Sequence, residues 1–337
     1  MRVFPIKFTG SYRAFTRLYL ANLFFSVITL GLFAAWARAR QRRYLFANTS
    51  ISHSGFYFHA RPVQQLNTDL LVFTLVTAYF VIEFYSFTLA LLLFTGFLFL
   101  LPELMNNSLA TNLGQTSFRN LRFHFSPDYK EAFVVFSLLL IAVVLSAGLA
   151  YPYYVYRRRK YILEHSSYGQ SRFHFDAKAL DYYRFYTNAV VILLLAAGTI
   201  LVVVKALKIF AGLQDTATYI GLTLAVPVLL YHYCYLNTRL FNYEMEKTRI
   251  DSVHFMTDLR ASRVYWIYFS NLCLVAGSFG LLLPVAILRM IKYKLSVTAF
   301  CIEQDWASFS AAPAGTSKTL TQKLRQLLDS GLELLQR

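Results

Sequence analysis

The chain has 337 residues, of which 57 % are hydrophobic and 15 % charged, with a formal net charge of +16. Soluble proteins average about 45–50 % apolar and about 25 % charged residues; here the excess runs in long uninterrupted blocks, which excludes a pair of soluble domains and points to a polytopic membrane protein. In such a chain Lys and Arg mark the loops kept beside anionic cytoplasmic lipid, which sets aside nucleic acid as a partner. Three cysteines (Cys234, Cys273, Cys301) with no CxxC pair set aside a disulfide framework.

The opening "MRVFPIKFTGSYRAFTR" has no short apolar core followed by a small-residue cleavage site, so the first apolar segment is expected to be retained in the membrane. Apolar segments follow at about 18–37, 69–84, 87–104, 132–152, 186–206, 218–236 and 265–288. Between Leu70 and Leu101 the only charge is Glu83, and Phe185 to Val204 has none; a hydrocarbon core of ~30 Å takes about 20 residues of helix. The second and third segments meet at "EFYSF" and the fifth and sixth at "KIFAGLQDTAT", so each pair reads as a helical hairpin. Alternating stretches, "FYF" at 56–58, "FHF" at 123–125 and 173–175 and "VHF" at 253–255, predict short strands in the polar loops. The expected class is therefore an all-α polytopic membrane protein: about seven apolar helices, three of which either span or re-enter, with short β-like polar loops.

An integral membrane domain over 1–305 gives way to the small-residue linker "SFSAAPAGTS" and then "TLTQKLRQLLDSGLELLQR". The latter places Leu320, Leu324, Leu327, Leu328 and Leu335 on one helical face, suited to a membrane surface or a partner protein.

One framework recurs three times: "GLFAAWARARQRRY" (31–44), "GLAYPYYVYRRRKY" (148–161) and "GLLLPVAILRMIKY" (280–293). Nine residues after the Gly stands Arg40, Arg157 or Arg289; twelve after it Arg43, Lys160 or Lys292; thirteen after it Tyr44, Tyr161 or Tyr293. These Arg, Lys and Tyr side chains are expected to anchor each segment at the headgroups, with clusters such as "RRRK" (157–160) holding anionic lipid. Gly31, Gly148 and Gly280, with Pro152 and Pro284, are expected to break the helices and permit close packing. The framework predicts internally duplicated units starting near residues 8, 123 and 255, the third cut short.

As seven simple spans, the chain divides its Lys and Arg 16 to 15 between the two sides. If the three repeated elements dip in and return, 31 of 33 fall on one side and Lys205 and Lys208 remain at a far turn, which obeys the positive-inside rule. The competing arrangement is an inverted repeat, a common transporter plan.

Candidate intramembrane polar groups are Asn22 and Asn271, each nine residues before its motif Gly where the second copy has Leu139, and Glu83. His124, His174 and His254 share the middle position of the aromatic strands, but no HxxH spacing or carboxylate partner accompanies them, so no metal is expected. With no phosphate-binding glycine loop or nucleophile elbow, neither an enzyme nor a cofactor is expected.

The stretches 8–51, with "FTG", an Asn in the first helix, "TLG", a Trp and "RRYLF", and 148–175, "GLAYPYYVYRRRKYILEHSSYGQSRFHF", resemble the YjgN-type bacterial inner-membrane proteins, a family of unknown function. The pattern departs at Ala35, where that family has Pro before the Trp, although Pro152 and Pro284 hold the slot in the other copies; the Gly of "SHSGFYF" also stands unusually near the aromatic pair. The resemblance implies an inner-membrane location and lends no activity. Two functions are expected on the residues: a transporter or permeation protein for a small solute or lipid, or a non-transporting scaffold binding anionic membrane lipid or a partner protein.

Overall fold

A computed structural model describes residues 2–52, 54–251 and 253–302. Five times along them a short strand leads into two antiparallel helical arms and back to a second short strand. The first unit is β1 (Arg2–Phe8), α1 (Tyr12–Ile28), α2 (Ala34–Ala47) and β2 (Thr49–Ile51). The second is β3 (Ser54–Phe58), α3 (Pro62–Tyr85), α4 (Phe87–Gly114) and β4 (Thr116–Phe118). The third is β5 (Leu121–Phe125), α5 (Tyr129–Phe133), a π-helical turn (Val134–Leu138), α6 (Leu139–Leu145), α7 (Tyr151–Glu164) and β6 (Ser166–Tyr168). The fourth is β7 (Ser171–Phe175), α8 (Ala179–Phe210), α9 (Gln214–Glu246) and β8 (Thr248–Ile250). The fifth is β9 (Val253–Thr257), α10 (Ala261–Gly277), α11 (Leu283–Ser296) and β10 (Thr298–Ile302).

The strands close into a ten-stranded antiparallel barrel, with β10 pairing β1 across Pro5 and Ala299. This overturns the all-α expectation of about seven helices. The aromatic alternation marked strands correctly in kind, but each is three to five residues long apart from β1, and the β1–β10 pair that removes the last open edge is a contact between distant parts of the chain. No local period reports such closure. Alternation points Phe56, Phe118, Phe123, Tyr168, Phe173 and Phe300 inward, while His124 and His174 are exposed on the outer face. Rings and aliphatic side chains of the interior line an apolar cavity of about 140 Å³.

Each unit is pinned where its arms meet the barrel. The residue after the first strand donates a backbone N–H to the carbonyl before the second: Thr9 to Asn48, His59 to Gln115, Ser126 to His165, Asp176 to Lys247 and Asp258 to Val297, at 2.7–3.2 Å. The hydroxyls of Thr49, Thr116, Ser166, Thr248 and Thr298 donate to the carbonyl four residues back at 2.5–3.0 Å. That bond satisfies an orphan acceptor at each helix C-terminus as the chain turns into the strand.

The arms come in two lengths. Helices α3, α4, α8 and α9 have 24, 28, 32 and 33 residues and are long and apolar enough to cross a membrane, spanning ~36–50 Å at 1.5 Å per residue. Their turns fall at Ser86 and at 211–213. The other three apolar segments do not cross as single helices; each breaks in two. Helices α1 and α10 have 17 residues and their returning partners 14, only ~21–26 Å of rise.

The break has one construction three times. Leu30–Gly31, Ala147–Gly148 and Phe279–Gly280 all have positive φ, and the Gly N–H bonds the carbonyl five residues back at 2.7–2.8 Å, a Schellman-type end. A Cβ on any of the three glycines would meet nothing within 4 Å, so backbone conformation, with φ between +86° and +91°, calls for Gly there and close packing does not. The hydroxyls of Thr29, Ser146 and Ser278 donate back to Phe25, Val143 and Val275. They also accept from the N–H of Phe33, Ala150 and Leu282 at 3.0–3.1 Å. One hydroxyl thus bridges both helix ends at an apex whose Leu30, Leu145 and Phe279 are 83–97 % exposed. Pro152 and Pro284 sit in the first turn of α7 and α11, where a missing N–H costs nothing; they start helices. The segment 306–337, with its expected linker and amphipathic helix, lies outside the described residues.

Candidate functional site

The repeated Gly-to-Tyr framework resolves into three layers. At the apex are the glycines and hydroxyls just described. Halfway down, Asn22 is buried and donates its amide to the Ala37 carbonyl (3.4 Å), and Asn271 donates likewise to Ala286 (3.0 Å). Both bonds tie the outgoing helix of a short hairpin to its returning helix. Leu139 holds the matching place in the third unit, where the π-helical turn lets Ser137 donate to the Leu98 carbonyl (2.6 Å) on α4 instead.

At the base stands the Tyr. The Tyr44 hydroxyl accepts from the Ser11 N–H (2.9 Å) and donates to the Ser11 carbonyl (3.1 Å). Tyr161, wholly buried, accepts from Asp128 N–H (3.3 Å) and shares its one proton between the Asp128 carbonyl (3.1 Å) and Asn106 Oδ1 (2.7 Å). Tyr293 accepts from Arg260 N–H (3.2 Å). Each phenol latches the residue that opens the first helix of its own hairpin, a job distinct from a headgroup anchor. Sequence reading missed this, and missed that Tyr243 does the same for Lys178 (3.0 Å) in the long fourth hairpin. Burial raises the Tyr161 pKa above its ordinary value, partly offset by the bonds to Asp128 and Asn106.

The basic members behave differently. Arg40 lies over the Phe33 ring at 5.2 Å and Arg43 is exposed. Arg157 pairs with Glu131 (3.3 Å) and Lys160 with Glu164 (3.8 Å). Arg289 donates to Asn271 Oδ1 (2.9 Å) and Lys292 sits 4.0 Å from the Tyr12 ring centre. Glu83 is exposed three residues before Ser86, beside the turn of the second hairpin.

Where the last hairpin meets the first, this chemistry opens to the outside. A groove of about 700 Å³ is lined by Arg263, Arg289 and Lys292 with Tyr12, Trp266 and Tyr293, and no carboxylate lines it among the described residues. Trp266 is 62 % exposed. Cations interleaved with half-exposed aromatic rings are the side-chain set of a membrane–water interface. A second, more polar hollow lies between α2, α3 and α4, where Arg38 pairs with Asp69 and Arg42 with Asn112. Among the described residues no cluster of His, Cys, Asp and Glu is placed to hold a metal ion.

No solved structure matches this chain. The inner membrane protein YjgN of Salmonella typhimurium is 27 % identical over 145 residues, which is 42 % of this chain and 37 % of that protein, so the chain spans well under half the length of this relative. The similarity agrees with the four helices long and apolar enough to cross a membrane, and places the protein in the bacterial inner membrane. A family model described as "Bacterial protein of unknown function (DUF898)" matches residues 4–327, nearly the whole length, and the chain belongs to that family.

Proposed function

We propose that this protein is a non-transporting scaffold of the inner membrane that binds anionic phospholipid in the leaflet next to its barrel. The observation that carries the reading is the groove between the first and last hairpins, with three cations, two tyrosines and a tryptophan and no carboxylate among the described residues. The fold supports it: three short hairpins end in exposed apolar apices too near the barrel to reach the far side, and so insert into about half of a bilayer. The transport reading gains less support. A solute moving along the barrel axis would meet an aromatic-lined interior with a cavity of about 140 Å³, and Asn22 and Asn271 are engaged in ties between helices. We also read the five strand–hairpin–strand units as copies of one ancestral module, shorter than the unit suggested by the triple framework.

The test is lipid retention. In mixed micelles the protein should hold phosphatidylglycerol in preference to phosphatidylethanolamine when measured by native mass spectrometry. A basic residue near an anionic surface contributes about 1 kcal/mol, about fivefold in affinity. Arg263→Gln with Lys292→Gln should therefore lower retention by an order of magnitude without moving the unfolding midpoint. Equal retention of both lipids, or an unaffected double variant, would sink the reading.

A further inference from the structure

Four of the five hairpins place a tyrosine five residues before their second strand, and its hydroxyl latches the backbone N–H of Ser11, Asp128, Lys178 or Arg260. In the second hairpin that place, five residues before Thr116, belongs to Thr111, and the matching helix-opening residue is Arg61. Thr is too short to cross the gap, and Arg61 brings no side-chain cap to the start of α3. The space a ring would occupy is open: cavities of about 410 and 270 Å³ meet at Gln64 and Thr111, which line both. The base of the other long hairpin shows the contrast, since Tyr182, Phe185, Leu236 and Tyr243 pack it solid.

An independent feature of the same hollow is a buried amide with no partner among the described residues. Gln115 is 5 % exposed and lines the smaller cavity, and among the described residues neither its Nε2 nor its Oε1 has a hydrogen-bond partner. Buried amides without partners are rare because their desolvation is uncompensated. His59, Arg61 and Arg122 line the same cavity and no carboxylate does, again among the described residues. In the adjoining cavity Asp69 is engaged with Arg38. Burial, then the neighbouring Arg38, lower the Arg42 pKa from its ordinary value; the charge of a bound anion would act in the opposite direction.

We propose that the base of the second hairpin binds a phosphate ester that also carries hydroxyl groups, either as a lipid headgroup or as a free polyol phosphate. The two arginines beside the uncapped N-terminus of α3 suit the phosphate, since backbone N–H groups and the helix dipole both favour an anion there. The Gln115 amide needs a donor and an acceptor at once: Nε2 donates to a phosphate oxygen and Oε1 accepts from a ligand hydroxyl. Asn107 and Ser108, lining the wider part, offer further partners to a polyol. The site is separate from the groove at the first and last hairpins and does not depend on it.

The experiment uses the full chain in phosphatidylcholine nanodiscs and reads the thermal unfolding midpoint. Glycerol 3-phosphate is added as one arm, phosphatidylglycerol is incorporated as a second, and sulfate with glycerol serves as the control, every arm being run in the Arg263→Gln, Lys292→Gln background so that the groove at the first and last hairpins does not contribute to the rise. At a hundredfold excess over Kd the expected rise is about 3–5 °C, and Thr111→Tyr, which supplies the missing latch and fills the cavity, abolishes it. A rise with the free ester identifies a soluble ligand, and a rise with the lipid alone identifies a headgroup. Should Thr111→Tyr fail to fold, Gln115→Leu replaces it, expected to fold at least as stably as the parent and to weaken binding at least tenfold. No rise with either probe, an equal rise with sulfate and glycerol, or a rise that survives the available variant overturns the proposal.

Discussion

Tyr161 shows how much one hydroxyl carries at the base of a hairpin. It accepts from the Asp128 N–H and shares its proton between the Asp128 carbonyl and Asn106. Tyr161→Phe leaves the ring packing in place and orphans those groups, so it should lower stability by about 1–3 kcal/mol, read as a fall in the unfolding midpoint. Its pH dependence has a definite sign. Burial raises the phenol pKa above 10.0, so the folded state holds the proton more tightly than the unfolded chain. The contribution is present in full below pH ~10 and is lost as pH rises through the raised value. The gap in midpoint between the parent and Tyr161→Phe should hold constant up to about pH 10 and narrow above it. Three of the latches were open to view in the sequence as a constant spacing, Ser11 to Tyr44, Asp128 to Tyr161 and Arg260 to Tyr293. The fourth, Lys178 to Tyr243, was hidden because a long hairpin stretches the interval while the geometry stays the same.

At the level of elements, the short hairpins depend on how they turn inside hydrocarbon. An unpaired backbone group there has no water to fall back on, and the construction at each apex answers that with two left-handed residues and a bridging hydroxyl. Ser278→Ala removes the acceptor for the Leu282 N–H (3.1 Å) and should cost about 1–3 kcal/mol. Gly280→Ala, at φ +86°, should add a strain of about 1–2 kcal/mol. Chemical unfolding in detergent checks both, and the alanine at Gly280 should be harmful although no neighbour crowds it. The Gly in this device stood out in the sequence. The Thr or Ser two residues earlier, at 29, 146 and 278, was equally regular but went unnoticed, because a hydroxyl in an apolar helix usually bonds its own backbone and signals nothing.

Across the whole molecule, a closed barrel commits every strand-to-strand turn to one end. Single cysteines at Asn120 and Arg172, both exposed and on different units, should therefore react with an impermeant reagent from the same side of the membrane. A cysteine at Thr216, at the far end of the fourth hairpin, should react from the other side. Labelling of Asn120 and Arg172 from opposite sides would be incompatible with this fold. The clustering of basic residues carried the same information without a mechanism: 31 of 33 fall on one side only if three segments turn back. What the sequence could not disclose was the object that gathers those loops, since strands of three residues are too short to declare themselves and their partners lie in neighbouring units.

That object has a temporal side. The strand that seals the barrel against β1 is β10, made about 290 residues later. At 5–20 residues per second, β1 waits roughly 15–60 s for its partner, long enough for the earlier hairpins to enter the bilayer first. During that interval the sheet has two raw edges able to recruit foreign strands. A chain stopped before Thr298 would keep both, so assembly is most vulnerable in the last moments of synthesis, after the membrane segments are already in place.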